Sequence, residues 1–393
     1  MLSQKIENIE FSGTLEISAK TIEMKQQGIN VIDLCAGESD LPTPSNIKKA
    51  GINAIINNKT KYTTASGITE LKTAIARKYF EEYKADYSLK EIIISNGAKQ
   101  AVFNAVQTII SDGDEVITPL PFYVSYPQMV KLAGGEIKFI ETKKNNSFKL
   151  TSAELQENIN SKTKALILCN PNNPSGVLYS QQELLKILEI VLSKNIFLIA
   201  DEIYEKLIYN NQPFYSVASA GNKFKDNLII INGVSKTYAM TGWRIGYTLA
   251  PETIIKGMNK LQGHSTGNAC TISQHAALAA LKGKQNFVNE QKRIFEKRKI
   301  FVENRLSQIK DLDFIKPKGA FYFFIDLEKV INNSEQVSNC RDFCKKFLED
   351  KKVATVPGNV FGVENFLRIT YTKPIDILDE ALKRLEDFIL RNL

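Results

Sequence analysis

Between residues 90 and 250 the sequence alternates seven short apolar runs with amphipathic stretches, and no other feature constrains the fold as strongly. The runs are EIIIS (91–95), EVITPL (115–120), EIKFIE (136–141), KALILC (164–169), IFLIAD (196–201), NLIII (227–231) and WRIGYTLA (243–250). Most are continuously apolar rather than alternating, the pattern of strands covered on both faces. Amphipathic stretches such as AKQAVFNAVQTII (98–110) and SQQELLKILEIVLSK (180–194) lie between several of them. This alternation predicts an α/β fold: a mostly parallel seven-stranded sheet with helices on both faces.

The flanks read differently. Residues 1–50 hold one helical stretch and the turn-rich GESDLPTPS, an N-terminal arm that contributes to a smaller domain. Residues 51–285 form the large domain. From 286 to 393 a long charged helix leads into GAFYFFID (319–326), NFLRITY (365–371) and helices near 340–351 and 375–391. The smaller α+β domain is therefore expected to draw on both termini.

Composition removes several functions. Two histidines, His264 and His275, cannot build a His-rich metal site, and neither stands in a ligand spacing. A net charge of +8 over 393 residues is too dilute for a nucleic-acid stripe but leaves an anionic small ligand open. No apolar run nears the roughly 20 residues that span a bilayer. The N-terminus has no secretory h-region, and the five cysteines form no CxxC pair. A cytoplasmic protein without membrane or nucleic-acid partners is expected.

In an open parallel sheet, ligands bind beyond the carboxyl ends of the strands. There the sequence places Asn96-Gly97-Ala98-Lys99, Pro121-Phe122-Tyr123, the turn NPNNPSG (170–176), Asp201 with Tyr204, and Gly233-Val234-Ser235-Lys236. If 243–250 runs antiparallel, Arg244 joins the same edge. This set holds no Ser-His-Asp triad, no carboxylate pair, no GxxxxGK[ST] loop and no GxGxxG after a strand. It suits a carbonyl cofactor bearing a phosphate. Lys236 can form a Schiff base. Arg244 and the N–H groups of 97–99 can hold the phosphate. Asp201 can pair with a pyridinium nitrogen, which specifies pyridoxal 5'-phosphate.

SKTYAMTGWRIGY (235–247) resembles the lysine-attachment motif of class I aminotransferases, of the fold type I pyridoxal phosphate family. CAGESDLPTP (35–44), KYTTASG (61–67), SNGAKQ (95–100), NPNNPSG, DEIYEKLIY (201–209), GAFY (319–322) and NFLRITY extend the resemblance over nearly the whole chain. It implies that Lys236 carries the cofactor and then moves the substrate proton. It also implies that Asp201 faces the ring nitrogen, Tyr204 and Asn173 bond the ring oxygen, and Tyr123 stacks on the ring. Gly97, Ala98, Lys99 and Arg244 would form the phosphate cradle. Arg368 and Gly37 would take the substrate α-carboxylate, and Tyr62 would reach the phosphate of a neighbouring subunit in a homodimer.

Four residues, at three places, depart from the family pattern. Gly233 stands where many relatives have a phosphate-binding Ser, Ala98-Lys99 replaces the Gly/Ser-rich cradle, and Ser39 replaces a Pro. The GxKQ cradle is similar to that of a bacterial aspartate aminotransferase subgroup, in which this lysine meets the distal carboxylate of aspartate. Aspartate and 2-oxoglutarate are the expected substrates. Thr14, within FSGTLE (11–16), aligns with a threonine of relatives that transaminate prephenate, but those carry a basic residue just before that segment, and this chain has Glu10. Prephenate, aromatic amino acids or carbon–sulfur lysis are the alternatives. A transcription regulator of the same fold would need a DNA-binding extension, which the first 35 residues are too few to hold.

Overall fold

A computed structural model describes residues 2–11 and 13–392. After a two-residue strand β1 (Ile32–Asp33), each of the seven apolar runs becomes a strand. These are β2 (Ile92–Ser95), β3 (Glu115–Pro119), β4 (Glu136–Ile140), β5 (Thr163–Cys169), β6 (Phe197–Asp201), β7 (Leu228–Gly233) and β8 (Gly246–Leu249). They form one sheet in the order β2-β8-β7-β6-β5-β3-β4. β8 is antiparallel to both neighbours, and every other pairing is parallel. The expected α/β architecture is present, including the reversed strand.

The continuous apolar runs have a direct physical cause. Successive side chains of a strand point to opposite faces. In β7, Ile229 and Ile231 join one buried cluster while Leu228 and Ile230 join the other. Helices cover both faces, so neither set can be polar. The helix Gln181–Ser193 shows how each cover is specified. Ser180 and Glu183 close a capping box at its start, and Leu184, Ile187, Leu188 and Val191 form its buried stripe.

A second, antiparallel sheet follows, in the order β12-β13-β10-β9. Its strands are β9 (Asp313–Ile315), β10 (Tyr322–Asp326), β12 (Val356–Pro357) and β13 (Phe366–Thr370). The short β11 (Val353–Ala354) pairs with β1 instead, so the two ends of the chain meet in one small α+β layer. The helix Asn286–Leu306 links this layer to the large sheet, and Ile375–Asn392 closes it with Leu378, Leu382, Leu385 and Phe388 buried. No helix among the described residues is long and apolar enough to cross a membrane.

Candidate active site

The carboxyl ends of β2, β5, β6 and β7 and the start of β8 converge on a cavity of about 320 Å³. Gly37, Ala98, Lys99, Tyr123, Asn173, Asp201, Tyr204, Lys236, Arg244 and Arg368 all line it. Ten positions named from the sequence are thereby gathered from loops up to 331 residues apart in the chain, Gly37 to Arg368. Gly97 does not line the cavity but packs against the Arg244 guanidinium, which does. Tyr62 does not line the cavity; its side chain is 97% exposed, so it is not packed within its own subunit.

Lys236 Nζ donates to the Gly37 carbonyl at 2.6 Å. Burial pushes its pKa down to about 8, helped by the Arg244 and Arg368 charges and opposed by Glu38 and Asp201. A lysine so tuned can hand a proton back and forth near neutrality. The backbone of its turn is fixed from outside, since Gln291 Nε2 donates to the carbonyls of Lys236 (3.0 Å) and Thr237 (3.2 Å). Two turns on, Arg298 makes a two-armed pair with Asp40, both arms at 2.8 Å, and also bonds the Thr372 carbonyl. One face of the helix Asn286–Leu306 thus holds both the lysine turn and the loop that carries Gly37.

Asp201 ends β6 and is buried. Its carboxylate accepts from the Tyr126 hydroxyl at 2.7 Å and from the Ile203 N–H at 3.3 Å. Burial raises its pKa, and these two donors and Lys236 pull against the rise. Tyr204 shares a hydroxyl–hydroxyl hydrogen bond of 2.8 Å with Tyr322. Gly37 is required beside them: a Cβ there would lie 2.5 Å from the Tyr322 hydroxyl. Arg368, on β13, donates to Asn173 Oδ1 (3.1 Å) and the Cys35 carbonyl (2.6 Å), and its guanidinium lies 4.5 Å from the Tyr322 ring centroid.

The opposite end of the cavity is a helix start. Gly97, at φ +84°, precedes the helix Ala98–Ile109, and a Cβ on it would come within 2.4 Å of Arg244 Nη2. Only glycine allows that guanidinium to close on the first-turn N–H groups, which have no acceptor within a helix. The helix start is pinned by Gln262, which accepts from Ser95 and Asn104 and donates to the carbonyls of Ala65 and Ile94. Gly233 has a packing reason of its own, because a Cβ there would sit 2.8 Å from the Ile245 carbonyl across β7 and β8. The Ser39 hydroxyl accepts the Leu41 N–H at 3.2 Å and so braces its loop.

Lys99 is exposed at the rim, its Nζ 5.8 Å from the Tyr123 ring centroid. It also borders an adjoining groove with Glu10, Gln128 and Arg244. Glu10 is held there by its N–H, which donates to Gln128 Oε1 at 3.1 Å. The side chain of Thr14 lies outside the described residues.

These residues fit a phosphorylated carbonyl cofactor. The cradle has the glycine-made space, the cation and the free helix N–H groups for a dianion. A lysine with a lowered pKa stands opposite a buried carboxylate. Arg368 Nε is a buried donor with no partner among the described residues, which suits a second, smaller anion. Several side chains of the site escaped the sequence reading, among them Phe361, Tyr322 and Tyr126. Tyr322 left a trace, a lone hydroxyl inside the apolar run GAFYFFID. Tyr126, 75 residues from the Asp201 it bonds, left none.

Comparison with known proteins agrees with this chemistry. The family model "Aminotransferase class I and II" matches residues 29–385. An aspartate aminotransferase of Bacillus sp. (strain YM-2) is 41% identical over 389 residues, covering 99% of each chain. A protein of Rickettsia bellii (strain RML369-C) named "Probable aspartate/prephenate aminotransferase" is 42% identical, covering 98% of each. The crystal structure of the aspartate aminotransferase from Rhizobium meliloti superposes with a TM-score of 0.96 at 38% identity, covering all of both chains. That of the Thermus thermophilus enzyme with maleate gives 0.94 at 33%, covering 99% of each. A matched length of this extent, on a fold and a site of this chemistry, makes the chain a member of the class I and II aminotransferases, which work with pyridoxal phosphate.

Proposed function

We propose that the chain moves the amino group of L-aspartate to 2-oxoglutarate in two half-reactions. The observation that carries this reading is that one cavity is lined by the buried Arg368, the exposed Lys99 and Lys236 together. A dicarboxylate can bridge the first two, its α-carboxylate on the fork of Arg368 and its distal carboxylate on Lys99. Glu10, across the adjoining groove, repels a further carboxylate and disfavours prephenate.

Arg244, the N–H groups of Ala98 and Lys99, and the Gly97 backbone would hold the phosphate. Tyr204 and Asn173 would bond the ring oxygen, Tyr123 would cover the ring and Asp201 would face its nitrogen. Pyridoxal phosphate, when bound, supplies the carbonyl that accepts the amino group and a ring that withdraws electrons from the substrate carbon. Arg368 and Gly37 orient the amino acid so that its Cα–H faces Lys236. Lys236 then takes that proton and returns it one position away. Phe361, Tyr322 and the buried Arg368 line the cavity and would keep water from the reacting carbon.

The test is a half-reaction panel that follows the cofactor's visible band with each amino acid. Aspartate should convert the enzyme to the pyridoxamine form faster than alanine does. Lys99→Ala should cut kcat/KM for aspartate by about 10- to 100-fold and leave alanine within about two-fold, the cost of one charge-assisted contact. An aspartate rate equal to that of alanine, or one unmoved by Lys99→Ala, refutes the assignment. Pyruvate or ammonia release without the pyridoxamine form would assign a lyase.

A homodimer belongs to the same reading. Its support is the exposed Tyr62 beside a helix, Ser45–Ile56, that turns Ile52, Ile55 and Ile56 outward. Sedimentation should give twice the chain mass. Tyr62→Phe should keep that mass and weaken pyridoxal phosphate binding by about 10-fold, one hydrogen bond to a charged phosphate. A cytoplasmic location rests on five unpaired cysteines, four of them buried.

A further inference from the structure

We propose that Tyr126 is a positioning residue of this reaction, holding Asp201 in its anionic, oriented form and Tyr123 in its place on the cavity wall. The proposal rests on the reading of Asp201 as the partner of the ring nitrogen.

Asp201 is a carboxylate at the buried end of a central strand, where ionisation costs free energy. Few groups near it offset that cost. The Ile203 N–H donates from within the same turn at a long 3.3 Å. Tyr126 donates a phenolic O–H at 2.7 Å from another element, the helix Tyr126–Leu132. The remaining titratable or charged groups facing this carboxylate are Cys169, its register partner on β5, and Lys236 from the turn after β7. Burial holds both the Tyr126 hydroxyl and the Cys169 thiol in their protonated forms, so neither competes for charge. Tyr126 is the side-chain hydrogen-bond donor to Asp201.

The same ring does a second job. It packs edge-on against Tyr123 at a centroid separation of 5.4 Å and an interplanar angle of 77°. Tyr123 lines the cavity, and Tyr126 stands behind it, 1% exposed. Asp201 at the floor and Tyr123 on the wall are therefore located by one buried side chain. The arrangement is set locally: Pro127 fixes the first turn of the helix, and its first residue, Tyr126, is turned inward.

Without the hydroxyl, Asp201 keeps its place less well and holds its charge less firmly, so the ring nitrogen would be less fully protonated. A weaker electron sink binds the imine proton more tightly. In holoenzyme Tyr126→Phe, the pH midpoint of the cofactor's visible band should therefore rise by about half a unit to one unit. kcat for aspartate should fall about 10-fold with KM within about two-fold, the loss of one bond to a charged acceptor. Asp201→Asn should move the midpoint in the same direction and further, and Tyr126→Phe added to it should do nothing more. Should Tyr126→Phe load cofactor poorly, Tyr126→His, which keeps a donor, should retain a midpoint nearer to wild type. A wild-type midpoint and kcat in Tyr126→Phe, with Asp201→Asn shifted, overturns the role of Tyr126. An unshifted Asp201→Asn overturns the reading of Asp201 itself, and the proposal with it.

Discussion

Lys236→Ala should lower turnover by at least about 10⁴, because it would remove both the covalent anchor and the proton carrier proposed above, and acid–base catalysis alone is worth up to about that factor. Single-turnover kinetics on the loaded variant measure it, and a loss under about 10² would mean that another group carries the proton. The same substitution should act oppositely on the stability of the apoprotein. Lys236 titrates near pH 8 in the fold, below the ordinary lysine value of 10.5, and burial is the main cause. The unfolded chain therefore binds more protons between about pH 8 and pH 10.5, and wild-type stability rises with pH across that window. Below it, the half-buried ammonium is a standing cost. Apo Lys236→Ala should be more stable than apo wild type at pH 7 by about 1–2 kcal/mol, discounted for partial solvent access. The gain should shrink toward pH 10.5. Paired thermal melts at pH 7 and pH 10 check the sign, and a destabilised variant at pH 7 would contradict it.

Asp201→Asn should cost about 10³ in kcat, comparable to the removal of a preorganised electrostatic group from a buried site. The amide can still accept from Tyr126, but it brings no negative charge to a pyridinium. The stability sign again runs against function. Burial raises the folded-state pKa of Asp201 above its ordinary 3.8, so stability is lost as pH rises from below 3.8 through that higher value. Above that higher value the ionised carboxylate is a cost, and apo Asp201→Asn at pH 7 should melt no lower than wild type. Steady-state kinetics with paired melts measure both effects. A fall in kcat of less than about ten-fold would remove Asp201 from the role proposed for it. Two residues of one site thus trade stability for chemistry, through opposite charges and the same cause, burial.

Gly97, Lys236, Arg244 and Arg368 were legible because each sits in a local pattern that ordinary packing does not need. A lysine two residues before a tyrosine at a strand end, or an arginine inside an apolar strand, wants an explanation at once. Glu10 and Lys99 were legible as charges, and their shared groove was not. Tyr126 shows the limit most clearly. A tyrosine before a proline at a helix start is unremarkable until β5 and β6 lie side by side and bring Asp201 to its hydroxyl.

What the sequence determined by itself is the set of elements. Two-sided burial makes residues 165–169, 197–200 and 228–231 of β5, β6 and β7 apolar, and the polar residue that follows each run, Asn170, Asp201 or Asn232, marks the sheet edge without help from the rest of the chain. Chain order does not contain the strand order β2-β8-β7-β6-β5-β3-β4, nor the pairing of β1 with β11 across 321 positions, from Ile32 to Val353. Those follow from how helices pack on the two faces and how the small layer folds back. The bonds that tune the site depend on that packing. Arg368 reaches Cys35 across 333 positions, Arg298 reaches Asp40 across 258, and Tyr204 meets Tyr322 across 118. Periodicity and turn chemistry act over a few residues, so they fix which side chains end at the edge. Only the packed tertiary structure decides which of them touch, and with that the charge each one carries.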